Sequence, residues 1–272
     1  MGYSLTKVSR IGVDIESYLA QVGHVFRAFH VHDSGCVSYG VLAGGKRWFV
    51  KHSDNPEGLA SLRRARCLHS RVSHCALPRL YHVFETPGGL ALVYEWVPGD
   101  LLYYPMRSLA EQRHAPACPP IRFRALPLAR ILDALDTIYD VHLMLADRGF
   151  IAVDFYDGCI IYDFEQSRTY LCDLDEYRAG PFVLDADRLP GSSRFMAPEE
   201  FRRGARIDEV TNVFTLGRTA VLLLGDGAGS MGSWKGTGAM KQVIMRATAL
   251  ERARRHKSVR EFVEAWRSAV GQ

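Results

Sequence analysis

The hydrophobic pattern of this chain changes at Pro98-Gly99-Asp100, and no other feature restricts its fold as strongly. The first hundred residues are β-rich, whereas the later segments carry their apolar residues mainly at helical spacing. Residues 37–41 and 48–52 read as strands joined across Ala43-Gly44-Gly45-Lys46, a hairpin signal. Residues 80–84 and 90–97 read as a second pair across Thr86-Pro87-Gly88-Gly89. Between the pairs lies the one helix expected in this half, 59–72, with Leu62, Ala65, Leu68, His69 and Val72 on one face. Beyond the break, residues 103–124 are polar and contain Pro116, Pro119 and Pro120, the composition of a surface excursion. Residues 128–147 follow as a long amphipathic helix, then two short hairpin-like strands and a loop-rich stretch to Gly191. From Ile207 the chain is helical, mostly apolar over 213–224 and amphipathic over 258–270. A β-rich lobe joined to a helical lobe by a Pro-Gly hinge is a two-lobed α+β architecture.

At 272 residues, 47% hydrophobic and 24% charged, the chain can bury one large core or two modest ones. No apolar run approaches the ~18 residues that cross a bilayer, so no transmembrane segment is expected. The start has no basic-then-apolar signal pattern, and the expected location is cytoplasmic. Cys36, Cys67, Cys75, Cys118, Cys159 and Cys172 stand in unrelated contexts without a CxxC pair. That usage suits reduced thiols better than a disulfide framework or structural zinc. A net charge of +4 is small for a nucleic-acid binder, and no nucleic-acid partner is expected. The oligomeric state leaves no mark in the sequence.

Three polar residues follow apolar runs at positions where strands would deliver them. Lys51 comes directly after Trp48-Phe49-Val50, and a lysine on a buried strand needs an anion to meet it. Asp154 follows Phe150-Ile151-Ala152-Val153, and Asp173 follows Tyr170-Leu171-Cys172. Two carboxylates across a small hairpin suit a proton acceptor and a metal ligand, since Mg²⁺ takes carboxylate oxygens together with substrate phosphates.

The most specific stretch is Gly191-Ser192-Ser193-Arg194-Phe195-Met196-Ala197-Pro198-Glu199-Glu200. It resembles the end of the activation segment of protein kinases, and the chain is similar to the bacterial eukaryotic-type serine/threonine kinases over roughly residues 28–266. The resemblance implies a single kinase-like domain over 1–272, with a β-rich N-lobe at 1–97 and a mostly helical C-lobe at 98–272. It makes Asp154 the catalytic-loop aspartate, Asp173 the metal-binding aspartate and Lys51 the strand lysine that steadies the ATP phosphates. Val93-Tyr94-Glu95-Trp96-Val97-Pro98-Gly99 looks like the hinge, whose backbone at Glu95 and Val97 would bond adenine. His74-Cys75-Ala76-Leu77-Pro78-Arg79-Leu80 looks like the approach to the fourth strand. Asn212-Val213-Phe214-Thr215-Leu216-Gly217 looks like the helix F motif with Asn for the usual Asp. Arg255-His256-Lys257-Ser258 resembles a late arginine motif, in which Arg255 pairs with Glu199. ATP, Mg²⁺ or Mn²⁺, and a protein substrate are the implied partners.

Departures from the family pattern bear on activity. Aligning Gly35 and Val37 with the end of the glycine-rich loop puts His30 and His32 where the first two glycines belong, which hinders close backbone approach to phosphate. The helix after Lys51 offers Ala65 where the family places glutamate, between Arg64 and Arg66, with Glu57 as a nearby candidate. Its arginines suit either a solvated face or a docking patch for an acidic partner. Ala152-Val153 replaces the usual His-Arg, Tyr156 replaces a lysine, and Cys159 stands at the metal-ligating asparagine, with Asp157 or Asp175 as substitute ligands. Ser192 and Ser193 suit phosphorylation or local loop bonds. Gly2 with Thr6 fits an N-myristoylation pattern of low specificity. Three functions remain in view: a serine/threonine protein kinase, a catalytically silent kinase-like binding module (a pseudokinase), and a small-molecule phosphotransferase of aminoglycoside-kinase type. Asp154 followed by Gly158 is the feature behind the last.

Overall fold

The computed structural model describes residues 4–30, 35–103, 115–227 and 229–271. Gly2, His32 and much of the expected 103–124 excursion lie outside them. The protein is α+β, with seven α-helices among the described residues. It divides into two compact units, 1–97 and 98–272.

In the first unit, α1 (Ile15–Val22) precedes β1 (His24–Phe29), β2 (Val37–Ala43) and β3 (Lys46–Ser53). Then come α2 (Pro56–Arg71), β4 (Leu80–Thr86) and β5 (Gly89–Glu95). The five strands form one antiparallel sheet in the order β1-β2-β3-β5-β4. Gly44 and Gly45 turn β2 into β3 with φ of 59° and 73°, the paired left-handed conformation that a two-residue hairpin turn demands. Along β5 the side chains alternate: Ala91 and Val93 join the core with Tyr18 and Leu19 of α1, while Leu92 and Tyr94 join Leu62 and Ala65 of α2. Each face of the sheet therefore has its own helix. The sequence predicts only α2 here; α1 is short, and its entry is fixed by Asp14, whose carboxylate accepts the Ser17 N–H at 2.9 Å. Helix α2 starts earlier than its apolar spacing suggests, because Asn55 caps the Gly58 N–H at 2.8 Å and Pro56 opens the first turn.

The second unit contains β6 (Asp100–Leu101), α3 (Pro119–Arg124), α4 (Leu128–Asp147), β7 (Phe150–Ile151), β8 (Ile160–Asp163) and β9 (Arg168–Leu171). It continues with β10 (Arg178–Ala179), β11 (Phe182–Val183), β12 (Arg206–Ile207), α5 (Glu209–Leu224), α6 (Gly238–Ala247) and α7 (Val259–Val270). Its strands make three small sheets, β6-β8-β9, β10-β7 and β11-β12. Thirteen of the sixteen residues of α5 are buried, so this helix is the axis of the unit. Tyr139 of α4 stacks edge-on against Phe262 and Trp266 of α7. One expectation is corrected: 119–124 is not surface excursion but helix α3, whose Phe123 is fully buried against Tyr162. The prolines that suggested a loop occupy the first turn, where a missing N–H costs nothing.

Candidate active site

The buried run Phe150-Ile151-Ala152-Val153 leads through β7 to Asp154, whose backbone is left-handed at φ 60°. Hairpin β8–β9 leads to Asp173, left-handed at φ 59°. Only three described non-glycine residues have positive φ, and two of them are these aspartates. Such backbone is tolerated where the surroundings hold it, and it clusters at functional positions. Both carboxylates act on the same neighbours. Burial, then Cys159, Asp173 and Asp154 raise the pKa of the Tyr156 hydroxyl. Burial, then Asp173, Cys172 and Asp154 push the Cys159 thiol well above its ordinary value. Cys159 links the two: its Sγ donates to the Asp154 carbonyl at 3.4 Å, and its carbonyl accepts the N–H of Cys172, the residue before Asp173, at 2.9 Å.

Asn212 of α5 holds this loop from behind. Its carbonyl oxygen accepts the Ala152 N–H and its amide donates to the Ala152 carbonyl, both at 2.8 Å. An asparagine has the donor and the acceptor for this clasp; an aspartate would have only acceptors. Gly191 lies on the other side, where an added Cβ would sit 3.4 Å from Asp154 Oδ1. At φ 138° it occupies backbone that other residues adopt at a cost.

The substitute metal ligands fare differently. Asp157 is buried in the 3-10 turn Asp157–Cys159, and Arg194 Nη2 donates to its two oxygens at 2.7 and 2.8 Å. Burial raises the Asp157 pKa and Arg194 opposes the rise. That ion pair must open before Asp157 can ligate a cation. Asp175 is buried at 6% exposure, whereas Asp173 is exposed. Cys159 is fully buried and held as a neutral thiol, a poor donor for a hard cation. Among the described residues no three His, Cys, Asp or Glu side chains gather as a ready-made cage. Two carboxylates are nevertheless enough for Mg²⁺ arriving with a phosphate ligand, so the donor chemistry fits that ion.

Below the loop, Glu199 and Arg255 form a buried bidentate pair, with Nη1–Oε1 at 2.7 Å and Nη2–Oε2 at 3.0 Å. Neighbouring Glu200 is driven up to about 8, first by burial; its Oε2 accepts the Ala197 N–H at 2.5 Å.

In the first unit, Lys51 is 5% exposed on β3, opposite Ser38 and Leu92. Ala65 is buried in an apolar cluster with Leu62 and Leu92, and Glu57 is exposed. Gly35 has φ 66°; its carbonyl accepts from Asn55 Nδ2 at 2.6 Å and Ser53 Oγ at 2.9 Å, which joins it to the cap of α2. Val37 opens β2 and packs half-buried against the α1-side core. The Glu95 N–H donates to the Arg79 carbonyl at 3.0 Å, and Glu95 Oε1 accepts the Arg79 N–H at 2.9 Å. Val97 is half-buried at the end of the unit. Arg63 and Arg66 are exposed on the rim of a groove of about 530 Å³, beside Leu59, Pro87 and the Arg10–Glu85 ion pair.

No protein-family model matches the chain, and no curated protein matches it either. Sequence reasoning did not foresee the Arg194–Asp157 pair or the Asn212–Ala152 clasp. The only advance signal was the asparagine in place of aspartate at 212. No helix among the described residues is long and apolar enough to cross a membrane.

Proposed function

We propose that this chain is a protein-kinase-like phosphotransferase that moves a phosphoryl group from ATP to Ser or Thr hydroxyls of a protein. One observation carries the reading: two left-handed aspartates, Asp154 and Asp173, flank one hairpin and are linked through Cys159, which bonds the Asp154 carbonyl and the N–H of Cys172. The sheet order β1-β2-β3-β5-β4, with α2 inserted between β3 and β4, supports a kinase-like N-lobe. Asp173 would hold Mg²⁺ or Mn²⁺, which supplies charge neutralisation at the phosphates when bound. Asp154 orients the acceptor hydroxyl and takes its proton. Lys51 meets phosphate charge; Val37 lies on the opposite, α1-side face of the sheet, so the sequence-based expectation that it contacts nucleotide is withdrawn. Because the Glu95 N–H is bonded to Arg79, its contribution to adenine falls on the carbonyl, with Val97 beside it. Positioning and charge account for most of the rate in such chemistry.

A silent binding module is the second reading. Three observations favour it: the neutral buried thiol of Cys159, the Asp157 carboxylate closed by Arg194, and the apolar burial of Ala65. Gly158 has a structural reason of its own, since a Cβ there would meet the Tyr156 ring at 2.4 Å. It therefore adds nothing to the small-molecule reading.

The test is transfer from γ-labelled ATP with Mg²⁺ or Mn²⁺, with and without a generic basic protein. Label on Ser or Thr that disappears in Asp154→Asn, while nucleotide binding persists, is the expected result. No transfer with Mg²⁺–ATP binding that requires Asp173 turns the choice toward a different acceptor. Absence of both transfer and binding overturns the phosphotransferase reading in favour of the silent module.

A further inference from the structure

Cys159 and Cys172 stand at the open end of hairpin β8–β9. The ladder pairs Ile160 with Leu171, and one step further the Cys172 N–H donates to the Cys159 carbonyl at 2.9 Å. The two cysteines are therefore neighbours across the open end of the hairpin, joined by one backbone bond, while the Cys159 N–H closes the 3-10 turn on the Tyr156 carbonyl at 2.9 Å. Neighbours bonded across antiparallel backbone have Cα atoms about 5.5 Å apart, inside the ~4.4–6.8 Å span of a disulfide. Twelve residues of intervening chain hide this proximity from any search for close cysteine pairs.

Their environments differ. Cys159 is fully buried, and its Sγ donates to the Asp154 carbonyl at 3.4 Å. Cys172 is half-buried, and its Sγ donates to the Gly158 carbonyl at 3.9 Å. A dissolved oxidant thus reaches Cys172 first. Cys159, with no solvent access, is not the first thiol oxidised.

We propose that Cys159 and Cys172 are a peroxide-sensitive dithiol, with Cys172 oxidised first and Cys159 closing a disulfide. The Cys172 sulfur attacks one peroxide oxygen, the O–O bond breaks, and a sulfenic acid and water result. The Cys159 sulfur then attacks the Cys172 sulfur. The S–S bond forms, the S–O bond breaks, and the departing hydroxide leaves as water with the Cys159 proton. Two thiols are oxidised and one peroxide is reduced to two waters. The bond from Cys159 Sγ to the Asp154 carbonyl is lost, and the residue before Asp173 becomes tied to the turn that follows Asp154. The linkage does not depend on whether the site transfers phosphoryl groups.

The deciding experiment treats the full chain with equimolar hydrogen peroxide, blocks remaining thiols with N-ethylmaleimide, and maps peptides by mass spectrometry without reductant. The expected product is a Cys159–Cys172 linked peptide, with the intact mass lower by two hydrogens and restored by dithiothreitol. Cys75→Ser, at an exposed position, retains the link, whereas Cys172→Ser abolishes it. The half-buried Cys172 makes that variant compatible with folding, which the circular dichroism spectrum verifies. Cys172 oxidised to sulfinic acid without a link, both thiols alkylated, or a link through Cys36, Cys67, Cys75 or Cys118 overturns the proposal.

Discussion

Replacing Arg255 by methionine probes the best-defined buried polar contact of the second unit. The Arg255 side chain is fully buried and that of Glu199 is 4% exposed, so water cannot substitute for either partner. The guanidinium also donates to three backbone carbonyls, Ala249 at 2.8 Å, Val210 at 3.2 Å and Leu250 at 3.3 Å. Arg255→Met strips these acceptors and leaves Glu199 with Arg252, whose Nη1 lies 3.1 Å from Oε1 on a side chain 30% exposed. Breaking one side of a buried pair costs about 3–5 kcal/mol. For a unit of this size that is roughly 6–20 °C in melting temperature. Burial raises the Glu199 pKa, but Arg255 leads the bonds that bring it below the ordinary carboxylate value. The stability contributed by Glu199 is therefore present above pH 4.5 and lost as pH falls through its lower folded value. Without Arg255 the carboxyl protonates more readily, so the deficit of the variant narrows toward pH 4. Urea melts at pH 7 and pH 4.5 measure both effects. A deficit under about 1 kcal/mol, or one that does not change with pH, would refute the argument that the charge is buried and held by Arg255. Glu199→Gln combined with Arg255→Met should recover part of the loss, because no full charge is then stranded.

Glu200, held up to about 8 from 4.5, and His142, pushed by burial down to about 4 from 6.5, oppose each other. On unfolding between pH 4.5 and 6.5 one releases a proton and the other takes one up, so these two contributions cancel. From pH 6.5 to 8 only Glu200 acts, and stability falls by roughly 1.4 kcal/mol per pH unit; Glu200→Gln should flatten that arm in thermal melts. Asn212→Asp turns the donor at the Ala152 carbonyl into an acceptor and should cost about 1–3 kcal/mol by chemical denaturation, whereas Asn212→Ser should cost less because no charge is introduced. Arg194→Met leaves Asp157 buried without its guanidinium. A loss of about 1–3 kcal/mol at pH 7 that shrinks in acid, read by melts across pH, is expected.

Local signals made much of the fold legible. The Ala43-Gly44-Gly45-Lys46 turn and the apolar spacing of Leu128–Asp147 fix backbone geometry within a few residues, and both appear as read. Helix α1 escaped because eight residues give little periodicity, and α3 escaped because its prolines read as loop until Phe123 is seen buried. Asp154 and Asp173 stood out by following apolar runs. Their shared influence on Tyr156 and Cys159 was not legible, nor was the Arg194–Asp157 pair across 37 positions or the Asn212–Ala152 clasp across 60.

The sequence by itself determined where strands, turns and long helices form, because backbone preferences and hydrophobic spacing act between near neighbours. It also determined which side chains can carry charge, bind a hard cation or be oxidised. Tertiary structure alone decided which of them meet: that Arg194 closes Asp157, that Asn212 grips the loop before Asp154, and that Cys159 neighbours Cys172. The reason is physical. Burial and electrostatic coupling depend on distance in space, and distance along the chain leaves them undetermined until the core has packed.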